Sequence, residues 1–218
     1  MNTERFVECV ARLRFSDTFN PYADRCGVHD LPDAPLRRAK ALRKILAAAA
    51  DREIDAIWIG RDLGYRGGRR TGLALTDDVN IPEHARRWGI SIERATTGQA
   101  VAERTAAVIW RVLGNVSSHV FLWNVFPLHP HEPGLPLSNR SHTRREREAG
   151  EEILAALVSM LRPTRLVAIG NDASASASRI APVGRALSVR HPSYGGQNIF
   201  LRQMADLYPQ SNRQATML

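Results

Sequence analysis

Four polar residues each follow a short apolar run: Asp62, Asn124, Asn171 and His191. A carboxylate, two amides and an imidazole gathered in one cleft are the polar groups that a small-molecule or base pocket needs. Each residue also has a plainer reading. Asp62 sits beside Arg61, Arg66, Arg69 and Arg70 and could cap a turn or pair with one of them. Asn124 could cap a loop, Asn171 could cap a helix, and His191, before a proline, could be a satisfied loop histidine.

The elements that must position these residues follow from hydrophobic periodicity. Strand-like apolar runs cover 54–59 (IDAIWI), 119–123 (HVFLW), 165–169 (RLVAI) and 186–189 (ALSV). Helical spacing covers 4–14, 36–50, 99–113, 144–161 and 197–207. Short continuous strands separated by helical stretches imply parallel strands covered on both faces. The expected fold is a single α/β domain over residues 1–218, a three-layer α/β/α sandwich around a four-stranded, mostly parallel sheet. In such sheets ligands bind outside the carboxyl ends of the strands. The loops there begin at Gly60-Arg61-Asp62, Asn124, Gly170-Asn171 and Arg190-His191, so strand order alone places the four residues in one cleft.

Composition narrows the partner. The 218 residues are 44% hydrophobic, which suits a globular chain able to bury a core. The net charge is +8, and of the thirty basic residues only Lys40 and Lys44 are lysines. The isoelectric point is near 10.4. Such a balance favours a polyanion, nucleic acid first, although a GC-rich genome also enriches arginine. Arg66, Arg69 and Arg70 could hold a phosphate backbone, as could Arg140, Arg144, Arg145 and Arg147, whose alternative is a solvated helix face. Cys9 and Cys26 cannot furnish a four-cysteine iron–sulfur or zinc site. The N-terminal stretch MNTERFVECVARLRF lacks the apolar run of a signal peptide, and no run approaches the ~20 residues of a membrane span. The expectation is a cytoplasmic, nucleoid-associated protein with nothing demanding more than a monomer.

Several other chemistries lack their motifs. GYRGGRRTG contains neither GxGxxG nor GxxxxGK[ST]. His129-Pro130-His131 has no third clear ligand and reads as surface groups rather than a metal pair. Ser193 stands outside any GxSxG elbow.

The ordered motifs resemble the uracil-DNA glycosylase superfamily. Its best-known branch carries GQDPYH and then GLAF; this chain has GRDLGY at 60–65 and GLAL at 72–75 with the same spacing. A strand ending in Asn is matched by LWN at 122–124, the glycine loop by AIGND at 168–172, and HPSP by HPSY at 191–194. The resemblance implies an enzyme that flips deoxyuridine from the helix and hydrolyses the bond between base and sugar. In it, Asp62 activates water and offsets the sugar's positive charge, and His191 donates a hydrogen bond to uracil O2. Asn124 reads N3–H and O4. DNA contacts fall on Arg66, Arg69, Arg70, Asn171, Ser193, Tyr194 and Gln197, with Tyr194 the first candidate to intercalate and Gln197 the second. No metal or organic cofactor is implied.

Three positions depart from the branch. Leu63 replaces its proline, and Gly64 replaces the tyrosine that excludes thymine. Leu75 replaces the stacking phenylalanine. Tyr65 is a candidate to fill the gap at Gly64, and Phe126 or Tyr65 to stack on the base. Two alternatives follow: a thymine or hypoxanthine glycosylase of the same fold, and a non-catalytic DNA-binding module.

Overall fold

The apolar runs form the middle layer of a three-layer α/β/α fold. The computed structural model describes residues 1–209. In chain order these residues form α1 (Thr3–Arg12), β1 (Thr18–Phe19), α2 (Ala34–Ala50), β2 (Ala56–Asp62), α3 (Gly68–Thr71), α4 (Ile81–Trp88), α5 (Arg104–Leu113), β3 (Val120–Phe126), β4 (His129–Pro130), α6 (Arg144–Leu161), β5 (Arg165–Ile169), α7 (Asn171–Ile180), β6 (Ala186–Val189) and α8 (Gln197–Leu207). The main sheet has the order β3-β2-β5-β6, and every pairing in it is parallel. β1 and β4 form a separate antiparallel pair.

Alternation along the strands divides the core. Ile57 and Ile59 of β2 join Phe121, Trp123 and Val125 of β3 in a cluster with α1, α2, α6 and α7. Ala56 and Trp58 join Val120 and Leu122 in a second cluster with α5 and α8. Both faces are covered, which is why the strands read as unbroken apolar runs rather than alternating ones.

Two strands extend further than their apolar runs. β2 continues through Gly60 and Arg61 to Asp62, and β3 continues through Asn124 to Phe126. Asn124 is therefore not a loop residue: it pairs in register with Gly60, and Phe126 pairs with Asp62. Ladder bonds to β2 hold these polar positions in the sheet despite their poor strand propensity. The helix expected from 99 begins at Arg104. The preceding backbone is drawn away by carboxylates, with Val101 N–H donating to Asp78 Oδ2 at 3.3 Å and Glu103 N–H to Asp77 Oδ2 at 2.6 Å. α4 and α7 escape periodicity because one has only 8 residues and the other, NDASASASRI, is built of small ones.

α6 lies very close to β3. A methyl group on Gly150 would sit 2.2 Å from the Val125 carbonyl oxygen and 3.0 Å from Phe126 Cα. The start of α6 is fixed by a capping box in which Thr143 and Glu146 satisfy each other's backbone N–H groups. Glu146 is also gripped by Arg140 through both carboxylate oxygens at 2.7 Å. These contacts set the position of His142, one residue before the cap. No helix among the described residues is long and apolar enough to cross a membrane.

Glycine to alanine inside a helix ordinarily stabilises by up to ~1 kcal/mol. At Gly150 the sign reverses, because the obstacle is backbone. Gly150→Ala should lose about 2 kcal/mol, the usual cost of overpacking, measured by urea unfolding.

Candidate active site

The site begins at Asp62, the last residue of β2. Both carboxylate oxygens are held by protein. Arg61 Nε donates to Oδ2 at 2.7 Å, and His142 Nδ1 bonds Oδ1. The Asp62 side chain is only 6% exposed, so these bonds fix its direction. A carboxylate offers about four acceptor sites, and two remain for a ligand or water. Arg61 also reaches Asp172 at 3.5 Å, which ties the end of β2 to the first turn of α7.

Asn124 stands beside Asp62 on the neighbouring strand. Its side chain lies over Gly60: a methyl there would be 2.4 Å from Asn124 Oδ1 and 3.0 Å from Leu75 Cδ2. Gly60 is thus the gap into which the amide fits. Asn124 is 1% exposed, yet neither its Oδ1 nor its Nδ2 has a hydrogen-bond partner. Leu75 borders the same gap at Gly60. It is half-buried, its φ is +53°, and its carbonyl accepts from Trp110 Nε1 at 3.1 Å. A left-handed leucine is a strained residue held by its surroundings.

His191 enters from the end of β6. Its Cβ lies 3.3 Å from where a side chain on Gly170 would begin, and Gly170 has φ +92°, so glycine is needed there on both counts. Ser193 N–H donates to His191 Nδ1 at 3.1 Å. In the neutral ring that bond leaves the proton on Nε2, facing outward as a donor. Burial, followed by the charges of Arg61 and Arg190, holds the imidazole below its ordinary pKa. The ring is therefore neutral at pH 7.

The DNA-contact candidates divide. Arg66, Tyr194 and Asn171 are exposed; Ser193 and Gln197 are half-buried. Tyr194 is 99% exposed with φ +51°, at the tip of a turn closed by Gly195 and Gly196. Arg69 and Arg70 must be corrected. They are 3% and 4% exposed, so neither can reach a phosphate. Arg70 Nε donates to the buried Asp78 at 2.7 Å, and the Arg69 guanidinium lies 4.0 Å from the Phe19 ring centroid. Arg140 is spent on Glu146, and Arg144 and Arg147 pair along α6 with Glu148 and Glu151.

Two aromatic assignments also change. Tyr65 does not fill the space at Gly64. Its ring lies under the Arg66 guanidinium, Arg66 Nε donates to its hydroxyl at 2.9 Å, and its N–H donates to Asn139 at 3.0 Å. Phe126 is fully buried against Phe15, with His142 at its edge, and has no free face for a base. His129 is not a surface group either. It is buried with Nε2 bonded to the Ser138 carbonyl at 2.7 Å, and burial lowers its pKa to about 4. Among the described residues no group of three or more His, Cys, Asp or Glu side chains is placed to hold a metal ion.

Two residues gave no signal in the sequence. His142 lies 80 residues from Asp62, in a serine- and arginine-rich loop. Glu103 precedes α5, and its carboxyl occupies the space a side chain on Gly64 would take. A methyl on Gly64 would be 2.5 Å from Glu103 Oε1, and one on Gly67 2.2 Å from Oε2. Burial and then the nearby Asp77 raise its pKa to about 7.

A carboxylate, an unpartnered amide and a neutral imidazole donor at the carboxyl edge of a parallel sheet define a base-handling enzyme of the α/β class. A family model for the uracil DNA glycosylase superfamily matches residues 37–208, and the chain belongs to that superfamily. It is a DNA glycosylase, a hydrolase of DNA repair. Among solved structures the chain is similar to wild-type SMUG2 from Pedobacter heparinus, with a TM-score of 0.58 and 11% identity over 95% of this chain and 97% of that one. At that identity the likeness concerns the fold. No curated protein matches the chain.

A carboxyl whose pKa is raised by folding contributes stability when protonated and loses it as pH rises through the folded value. For Glu103 the window runs from its ordinary 4.5 to about 7. Glu103→Gln should therefore melt higher than the parent at pH 8.5, by roughly 5 °C. The difference should shrink towards zero below pH 4.5, as read by thermal melts across pH.

Proposed function

We propose that the protein is a monofunctional uracil-DNA glycosylase that takes deoxyuridine out of the stack and hydrolyses its N-glycosidic bond. The observation that carries this reading is the Asn124 amide, buried with both polar atoms unpartnered. A buried amide without partners is disfavoured by ~1–3 kcal/mol, and a ligand that bonds both atoms removes that penalty. Uracil does so with N3–H towards Oδ1 and O4 towards Nδ2. Cytosine offers the reverse pattern and leaves both pairs mismatched.

The reaction follows from the two neighbours. The bond between C1′ and N1 breaks with its electron pair going to the base, and the sugar becomes oxocarbenium-like. The negative charge spreads onto uracil O2, where the His191 Nε2–H donates; a preorganised donor of this kind is worth ~3 kcal/mol. The Asp62 carboxylate, aimed by Arg61 and His142, faces the sugar cation and orients the water whose oxygen bonds to C1′. The water's proton leaves through the carboxylate. Lyase chemistry would need an amine nucleophile. Both lysines lie on α2, with Lys40 3.6 Å from Glu93 and Lys44 donating to Ser91 O at 2.8 Å.

DNA would approach across the carboxyl edge of the sheet. The exposed Tyr194 ring is suited to fill the gap left by the flipped nucleotide, and Arg66 with the N-terminal turn of α7 at Asn171 to meet phosphates.

Uracil-containing oligonucleotides, single- and double-stranded, followed by alkaline cleavage at abasic sites, test the reading. Strand breaks are expected with the parent protein; their absence on both substrates refutes the assignment. Asp62→Asn and His191→Ala should each lose at least ~10²-fold in single-turnover rate while keeping the parent melting profile. His142→Ala should lose less, on the order of 10-fold, because Arg61 still holds one oxygen of Asp62.

A further inference from the structure

The loop Gly64-Tyr65-Arg66-Gly67 is shaped around a carboxyl group from elsewhere in the chain. Glu103 Oε1 lies where a side chain on Gly64 would begin and Oε2 where one on Gly67 would begin. Loop backbone stands against the carboxyl on that side, and the Thr76 carbonyl oxygen lies 3.6 Å from the same point at Gly67. Among the described residues, no hydrogen bond or ion pair compensates the burial of the carboxyl. The charge that acts on it is the neighbouring carboxylate of Asp77, which is itself occupied by the N–H groups of Glu103 and Asn80. The nearby Arg70 and Asp78 are spent on each other. Glu103 is thus a partly buried carboxyl without a structural partner, set against the loop that begins two residues after Asp62.

Its place relative to a bound pyrimidine follows from the other three groups, on the reading given above. Asn124 takes the N3–O4 edge, Asp62 faces the sugar, and His191 takes the O2 flank. The flank left over carries C5 and C6, and we assign to it the loop beginning at Gly64, two residues after Asp62. We propose that Glu103 is a specificity-determining residue whose carboxyl walls the 5-position flank of the flipped base and rejects a 5-methyl group. A methyl there would press apolar surface onto an unpartnered polar group. Glycine at 64 is then not a vacancy that admits thymine; it is the space that lets a distant side chain take over the wall.

The test is single-turnover excision of uracil and thymine, each opposite guanine. The quantity read is the thymine-to-uracil rate ratio of each variant against the parent, in which leaving-group differences cancel. One methyl group against a fitted pocket is worth about 10–200-fold. Glu103→Ala should raise the ratio at least tenfold. Glu103→Asp, one methylene shorter, should raise it in the same direction and serves if the alanine protein fails to fold. Glu103→Gln, of equal size, should stay within threefold of the parent. The proposal is overturned if alanine and aspartate variants keep the parent ratio, if glutamine raises it as much as alanine, or if the parent releases thymine as fast as uracil. A parent that releases neither base overturns the uracil reading itself, a different result from a parent that excises uracil with Glu103 irrelevant.

Discussion

An amide shut away from water with nothing to bond is the constraint around which this protein is arranged. Asn124 occupies a sheet position that would be more stable with an apolar side chain, and its strand neighbour Gly60 has given up a side chain to make room for it. Parallel pairing between β2 and β3 then dictates what stands beside it. The register that puts Asn124 against Gly60 puts Phe126 against Asp62, so amide and carboxylate are separated by one step of the ladder. A one-residue slip would turn every side chain to the other face. The apolar halves of both strands, locked in two separate cores, prevent that slip.

Charge is distributed in two distinct ways around that centre. One set of arginines is internal: Arg38 with Asp30, Arg70 with Asp78, Arg69 on Phe19. These hold the segments that precede and follow the GLAL turn, and their value is positional, since buried ion pairs seldom stabilise more than apolar packing would. The other set is external and free to meet phosphates, with Arg66 beside the site as its clearest member. The net charge of +8 thus overstates the surface available to DNA, because part of it lies in the core.

What was legible in the sequence tracks the range of the interactions involved. The four strands were visible because runs such as IDAIWI and RLVAI are apolar on both faces, and α6 because its apolar spacing is a local signal. Asp62, Asn124 and His191 could be placed at one sheet edge because parallel topology forces strand ends together. Burial of Arg69 and Arg70 was not legible: their partners Phe19 and Asp78 are chosen by tertiary contact, and adjacent arginines in a glycine-rich loop look solvated. His142 and Glu103 were invisible for the same reason, one reaching across the fold to the end of β2 and the other to the loop of Gly64 and Gly67.

The departures at Gly64 and Leu75 belong to a single exchange of roles. Where the resembling branch places aromatic side chains on the first two motifs themselves, this chain braces the same two positions from α5 and its approach. Glu103, just before that helix, fills the space at Gly64, and Trp110, within it, bonds the Leu75 carbonyl. Leu75 is thereby kept in a left-handed conformation that a β-branched residue would resist more strongly and a glycine would adopt without strain. Glu103, Trp110 and the strained Leu75 thereby tie α5 and its approach to the loops that follow β2.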